Sequence, residues 1–141
     1  MTGAQQIIAQ LGMAPHPEGG WYAETWRGSV GPDGREIASA IYFLLEAGQR
    51  SHWHRVDAAE IWLWHAGSPV ELAIAPDDAG PVAVVALGGD VLAGQQPQMV
   101  IAPCHWQATT AKEGWALVSC VVAPAFRFGG FTLAAPGWQP G

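Results

Sequence analysis

Basic charge is scarce in this chain. Six Lys and Arg stand against twelve Asp and Glu, a formal net charge of −6 over 141 residues. No basic stripe is present, which argues against a nucleic-acid or anionic-membrane surface. Cysteine is scarcer still. Cys104 and Cys120 are too few for a disulfide scaffold in a chain able to build its own core, and they read as two buried free thiols. No apolar run reaches the length of a membrane span, and Met1 to Leu11 lacks the basic start and apolar stretch of a signal peptide. Gly-x-Ser-x-Gly, a phosphate-binding glycine loop and Cys-x-x-Cys are all missing. Cys104 and His105 are adjacent, so on a strand they point apart and make no thiol–imidazole dyad. These absences predict a cytoplasmic protein with neither nucleic-acid nor membrane partners.

Apolar residues, glycine and proline are plentiful. Half the residues are apolar and 13% are charged, the composition of a packed chain rather than a disordered one. The length suits a single domain over residues 1–141. Thr2 to Gly12 predicts one short helix, with Thr2 as N-cap, Ile7, Ile8 and Leu11 at helical spacing, and Gly12 as C-cap. Two prolines and two glycines make Met13 to Gly20 a turn. Strands are predicted over Trp21–Arg27, Ile37–Glu46, Ser51–His54, Ala59–His65, Val70–Ala75 and Val82–Leu87, then Gln98–Ile101, Trp106–Thr110, Trp115–Val122 and Phe131–Leu133. The apolar run Ile37–Glu46 reads as a central strand covered on both faces. Many short strands with one helix predict an all-β antiparallel sandwich or barrel.

One stretch concentrates the chemistry. His52 and His54 are one residue apart, and on an extended strand both project to the same face. A turn over Arg55 to Ala59 would return Glu60 beside them from the neighbouring strand. Two imidazoles and a carboxylate on one wall suit a divalent metal (Zn, Fe, Ni or Mn) with coordination positions left open.

The spacing Gly48-x3-His52-x-His54-x5-Glu60-x6-Gly67 resembles the first motif of the cupin superfamily, small double-stranded β-helix (jelly-roll) barrels. The resemblance implies that His52, His54 and Glu60 are metal ligands facing the interior. A second family motif supplies a further histidine after a Pro-x-Gly turn. The matching segment here is Pro103-Cys104-His105-Trp106-Gln107-Ala108, with Ala108 at the histidine's place. A narrower resemblance, to the fifth cupin family, covers nearly the whole chain. It rests on His16-Pro17-Glu18-Gly19-Gly20-Trp21-Tyr22-Ala23-Glu24-Thr25, Ala40–Leu45, Trp53–Val56, Glu60-Ile61-Trp62, Gly94–Gln98 and Val121–Phe128. It implies a jelly-roll barrel with one N-terminal helix, a shape like that of sugar-nucleotide epimerases, and a homodimer.

Several residues have two readings. His52 is a ligand or is solvated at the barrel mouth. Glu60 is a ligand, a general base, or the partner that fixes the His54 tautomer. Gln107 could add a weak oxygen ligand. Trp62 and Trp64, in parity with Glu60, together with Trp106, Tyr22 and Trp26, either line a ligand pocket or fill the barrel. Trp53 points to the opposite face, toward a dimer partner or the outer sheet. His16, Glu18 and Glu24 supply acid–base groups to a ligand, or Glu18 accepts backbone bonds within its own turn. Arg27 and Arg55 could clamp an anion, or Arg55 pairs with Asp57. The expected function is a small-molecule cupin enzyme, an isomerase or epimerase acting on a sugar derivative or small organic acid. In it His54 or Glu60 removes a proton and a tyrosine or second acid returns it, or a metal on His52, His54 and Glu60 polarises a carbonyl or enolate oxygen instead. The alternatives are a non-catalytic metabolite binder and a metal-dependent oxygenase.

Overall fold

The computed structural model describes all 141 residues. Helix α1 (Gly3–Leu11) opens on a capping box. The Thr2 hydroxyl accepts from the Gln5 amide at 3.1 Å, and the Gln5 side chain accepts from the Thr2 amide at 3.0 Å. Gly12 closes the helix in the left-handed conformation. Ala4, Ile7, Ile8 and Leu11 form its apolar face, packed on Leu44, Tyr42 and Trp115 outside the larger sheet.

The strands are β1 (Ala14–Pro15), β2 (Trp21–Arg27), β3 (Ser39–Leu45), β4 (Arg50–Val56), β5 (Ala59–Gly67), β6 (Val70–Ala75), β7 (Ala83–Leu87), β8 (Gln98–Ile101), β9 (Trp106–Thr110), β10 (Ala116–Ala123) and β11 (Phe131–Leu133). They form a six-stranded sheet in the order β1-β2-β3-β10-β5-β8 and a five-stranded sheet in the order β11-β4-β9-β6-β7. All pairings are antiparallel. This is the expected all-β jelly roll with one short helix. Strand β3 is covered on both faces, as its apolar run requires: Phe43 faces the interior and Leu44 faces the helix. Ile37 lies outside it and is 53% exposed. Cys120 is buried, but Cys104 is exposed, because it sits in the turn before β9 at φ 64° rather than in a strand.

Three rungs of inward-facing residues cross the larger sheet in register. They are Arg27–Ser39–Val122–Glu60, Glu24–Ile41–Cys120–Trp62 and Tyr22–Phe43–Val118–Trp64. Polarity falls along this series. The lower end is filled by Phe43, Leu45, Trp62, Val70, Leu72, Leu87, Ile101 and Val118. Each large side chain there contributes about 1.5–3 kcal/mol by leaving water. The upper end stays open, so the barrel is half core and half cavity.

Two links lock the upper end. Buried Arg35 donates to both Asp57 oxygens (2.8 and 3.1 Å) and to the Ala125 carbonyl (2.8 Å). Those Arg35 hydrogen bonds hold the Asp57 carboxyl below the usual range. Arg55 therefore does not pair with Asp57; its guanidinium lies 4.7 Å over the Trp106 ring.

Candidate active site

The open end of the barrel holds a cavity of about 360 Å³. His16, Glu18, Tyr22, Glu24, His54 and Glu60 line it, together with Arg27, Glu36, Ser39, Ile41, Val56, Cys120, Val122, Phe126, Arg127, Phe128 and Phe131. Six of the candidate site residues thus share one space. His52, Trp26, Trp62, Trp64, Trp106 and Gln107 lie outside that lining.

The loop between β1 and β2 carries two of the six. It is held in shape by its own backbone, with His16 N–H donating to Gly20 O (2.9 Å) and Gly19 N–H to His16 O (3.0 Å). It is pinned to β4 by His52 N–H donating to Glu18 O at 2.7 Å. Gly19 sits at φ 107°, and a Cβ there would collide with the Arg50 carbonyl. This close approach drives the Glu18 side chain into the barrel. Its carboxylate oxygen Oε2 forms an ion pair with His54 Nε2 at 2.9 Å and accepts no hydrogen bond from any other group. Glu18 therefore serves the cavity rather than capping its own turn. Its backbone N–H lies 3.2 Å from His16 Nδ1, and its carboxylate oxygen Oε1 lies 3.2 Å from the same nitrogen. Burial lowers the His16 pKa, against the pull of Glu18 and helped by the charge of His54, and the imidazole is neutral.

His54 is the buried centre of the site. Its Nδ1–H donates to the His52 carbonyl at 2.7 Å, and Nε2 faces Glu18. Burial alone would lower its pKa. The charge and hydrogen bond of Glu18, then the charge of Glu60, outweigh burial and raise it to about 9. His54 is thus an imidazolium at neutral pH, with both ring nitrogens committed inside the protein.

The expected pairing of His52 with His54 does not form. Ser51 pairs with Thr109 and His54 with Gln107, so β4 carries one residue more than β9 across this stretch. That β-bulge breaks the two-residue alternation. Ser51 and His54 point inward, while His52 turns outward and bonds the Ala135 carbonyl through Nε2 at 2.9 Å. Trp53 packs outside with Ala75, Trp106 and Ala108, covered by Ala134 and Trp138. Glu60 does meet His54, but from the opposite sheet, since β5 pairs with β10 and β8 and not with β4.

Glu60 is buried at the cavity floor. Gln107 Nε2 donates to its Oε1 at 2.8 Å, and the Gln107 oxygen accepts from Trp62 Nε1 at 2.8 Å. Burial raises the Glu60 pKa to about 7, opposed by the charge of His54, helped by that of Glu18, and opposed by hydrogen bonds from Gln107 and Cys120. The Cys120 thiol is pushed well up, by burial first and by the neighbouring carboxylates second. Gln107, not Ala108, is the inward residue of β9 beside His54, because Ala108 faces the outer tryptophan cluster.

The candidate tryptophans form no wall of this cavity. Trp62 and Trp64 share parity with Glu60 but lie successively deeper, in the core. Trp106 faces outward and donates to Asp78 at 2.8 Å. Trp26 is 50% exposed, because a second bulge between Glu24 and Trp26 turns Arg27 inward instead. The aromatic wall is made by Phe126, Phe128 and Phe131, with Tyr22 and His16 ring to edge at 4.7 Å. Phe126 and Phe128 follow the last long strand in a segment without regular alternation and Phe131 opens the short strand β11, so no periodicity marked the three as one wall.

The barrel topology and the inward His and Glu side chains define a cupin. The family model described as "Cupin superfamily (DUF985)" matches residues 5–134, and the chain belongs to that family. No curated protein matches. A protein of known structure from Shewanella oneidensis is 34% identical, with a TM-score of 0.87 over 96% of this chain and 86% of that one. A hypothetical protein from Leishmania major is 28% identical, with a TM-score of 0.85 over 95% and 88%. Oxalate decarboxylase from Bacillus subtilis shares the fold at 14% identity and a TM-score of 0.63, over 85% of this chain and 29% of that one.

Cupins commonly bind metals, but the residues here do not fit one. His52 points away, His54 Nε2 is taken by Glu18, and the Gln107 amide is taken by Trp62 and Glu60. No three His, Cys, Asp or Glu side chains are arranged to hold an ion.

Proposed function

We propose that this chain is a cytoplasmic enzyme that moves a proton on carbon, an isomerase or epimerase acting on a sugar derivative or small organic acid in the cavity. One observation carries the reading: the carboxyl group of Glu60 is buried on the cavity lining, and that burial raises its pKa to about 7. A group poised near the working pH both accepts and returns a proton efficiently. Glu60 removes a proton beside a carbonyl, and the Tyr22 hydroxyl, in the same cavity, returns one. His54 acts by position: its charge favours ionised Glu60, and Glu18 holds it in place. His54 is not the base, because neither ring nitrogen is free.

Incubating the protein in D2O with small hydroxy acids, keto acids and sugars tests this by NMR. At least one candidate incorporates deuterium at carbon, and Glu60→Gln slows exchange by about 10²–10⁴-fold. The rate rises as Glu60 ionises through about pH 7 and falls as His54 loses its proton near pH 9. Exchange into no candidate counts against the reading. A second reading, a non-catalytic metabolite binder, is favoured by the internal commitment of both His54 nitrogens. It predicts saturable binding without exchange. A metal-dependent oxygenase finds no ligand set among these side chains.

The proposal includes a homodimer. Edge strand β8 leaves Val100 55% exposed, paired in register with Ile61, which in turn pairs with Val121. An uncovered apolar edge of this kind favours a second copy. Light scattering should give twice the chain mass for the wild type and a monomer for Val100→Asp; a monomeric wild type overturns the assignment.

A further inference from the structure

Two arginines, Arg27 and Arg127, line the cavity and a third, Arg35, is buried outside that lining; Arg27 and Arg35 are fully engaged. Arg27 donates to both Glu24 oxygens (3.0 and 3.1 Å), to Glu36 (3.4 Å) and to the Phe126 carbonyl (2.8 Å). Arg35 is buried against Asp57 and the Ala125 carbonyl. Arg127 lines the cavity, yet its guanidinium has no hydrogen bond and no ion pair within 4.0 Å. The nearby acids Glu24, Glu36 and Asp57 are already held by the other two arginines, and Arg127 acts on Asp57 only as a more distant charge. One cationic fork is therefore left over at the entrance.

Beside it stands an aromatic wall. Phe126, Phe128 and Phe131 touch one another at ring separations of 5.0, 5.6 and 6.2 Å, and Phe128 is 56% exposed. An apolar ring held in water at a cavity mouth, next to an unpaired guanidinium, matches a ligand with an apolar body and an anionic end. We infer that Arg127 and Phe128 form an oxyanion subsite at the cavity mouth, which binds the carboxylate or phosphate of an organic ligand while its body lies on the phenylalanines. A guanidinium fork meets such oxygens with two parallel hydrogen bonds. This orientation points the far end of the ligand inward, toward Glu60 and His54. The inference rests on the cavity being the substrate site, and it narrows the substrate class to acids and phosphorylated molecules.

Titration by NMR with phenylacetate, phenyl phosphate and neutral phenylacetamide tests it in wild type and in Arg127→Gln, a surface change that leaves the core intact. In the wild type the anions shift the Arg127 amide and bind at least about tenfold tighter than the amide. Arg127→Gln abolishes that preference and leaves phenylacetamide binding unchanged. The stronger of the two anions identifies the favoured oxyanion. Equal binding of anion and amide, a preference that survives in Arg127→Gln, or no saturable shift at about 10 mM ligand overturns the subsite. Failure of the proton-transfer reading has a different signature: anions shift Arg127 and Phe128, but no candidate exchanges deuterium and Glu60→Gln changes nothing.

Discussion

Replacing His54 by alanine should destabilise the fold by about 3–5 kcal/mol, the usual loss when one partner of a buried ion pair is removed. The size follows from what remains. Glu18 Oε2 has no partner other than His54 Nε2, and Glu60 lies on the same floor, so the variant buries two carboxyl groups with no cation between them. Urea denaturation near pH 6 gives the direct measurement. A variant within about 1 kcal/mol of wild type, the loss typical of an exposed pair, would show that the pair adds little.

The pH dependence of wild-type stability checks the same charges independently. The pKa of folded His54 is raised from 6.5 to about 9. Its contribution is complete below pH 6.5 and is lost as pH rises through 9. The pKa of folded Glu60 is raised from 4.5 to about 7, so the folded state holds that proton more tightly than the unfolded chain. Its contribution is present below pH 4.5 and is lost as pH rises through 7. Both groups act in one direction, and stability should fall from about pH 5 to about pH 9 by an amount on the order of 3 kcal/mol or more. The penalty of His54→Ala should shrink over the same range, since neutral His54 no longer offers Glu18 a charge. A flat or rising wild-type profile would mean that His54 and Glu60 do not bind protons as this geometry requires.

The fold was far more legible in the sequence than the site. Strand alternation, Gly and Pro punctuation and the Thr2/Gly12 caps located the elements, because those signals are local. The family motif placed His54 and Glu60 inside the barrel for the same reason. The misplacements have two physical sources. Bulges at Ser51–His54 and Glu24–Trp26 each insert one residue, and a single insertion exchanges the inner and outer faces; His52 and Trp26 were lost that way. Depth is the other source. Parity put Trp62 and Trp64 on the inner face correctly, but it cannot say how far down the barrel a residue sits, and both belong to the core. Gln107, read as a weak oxygen ligand on an inward-facing strand, does face inward, but it serves the cavity from below by bonding Glu60 rather than by meeting a ligand. The Glu18–His54 pair was invisible for a third reason: it joins a loop to a strand 36 residues away, through a backbone approach that only the folded chain shows.

That approach makes Gly19→Ala the second change with a large expected effect. At φ 107° an alanine is strained by the left-handed backbone, a penalty of about 1–3 kcal/mol. The added methyl would also meet the Arg50 carbonyl, which is backbone and cannot swing aside. The relief available is for the loop to lift off β4. Lifting breaks the His52 N–H to Glu18 O bond and withdraws the Glu18 carboxylate from His54. We expect a loss of roughly 3 kcal/mol or more in denaturant unfolding, combining strain with the broken pair. A merely local strain would stop there. Withdrawal of Glu18 also removes the main influence that raises His54, so its NMR titration should move down from about 9 toward the ordinary histidine range. A Gly19→Ala protein in which His54 still titrates near 9 would show that the loop gives way elsewhere and that the glycine does not set the carboxylate's position. With His54 discharged, Glu60 loses the charge that opposes its burial, its pKa rises further, and proton transfer at neutral pH fails although every cavity side chain is still present.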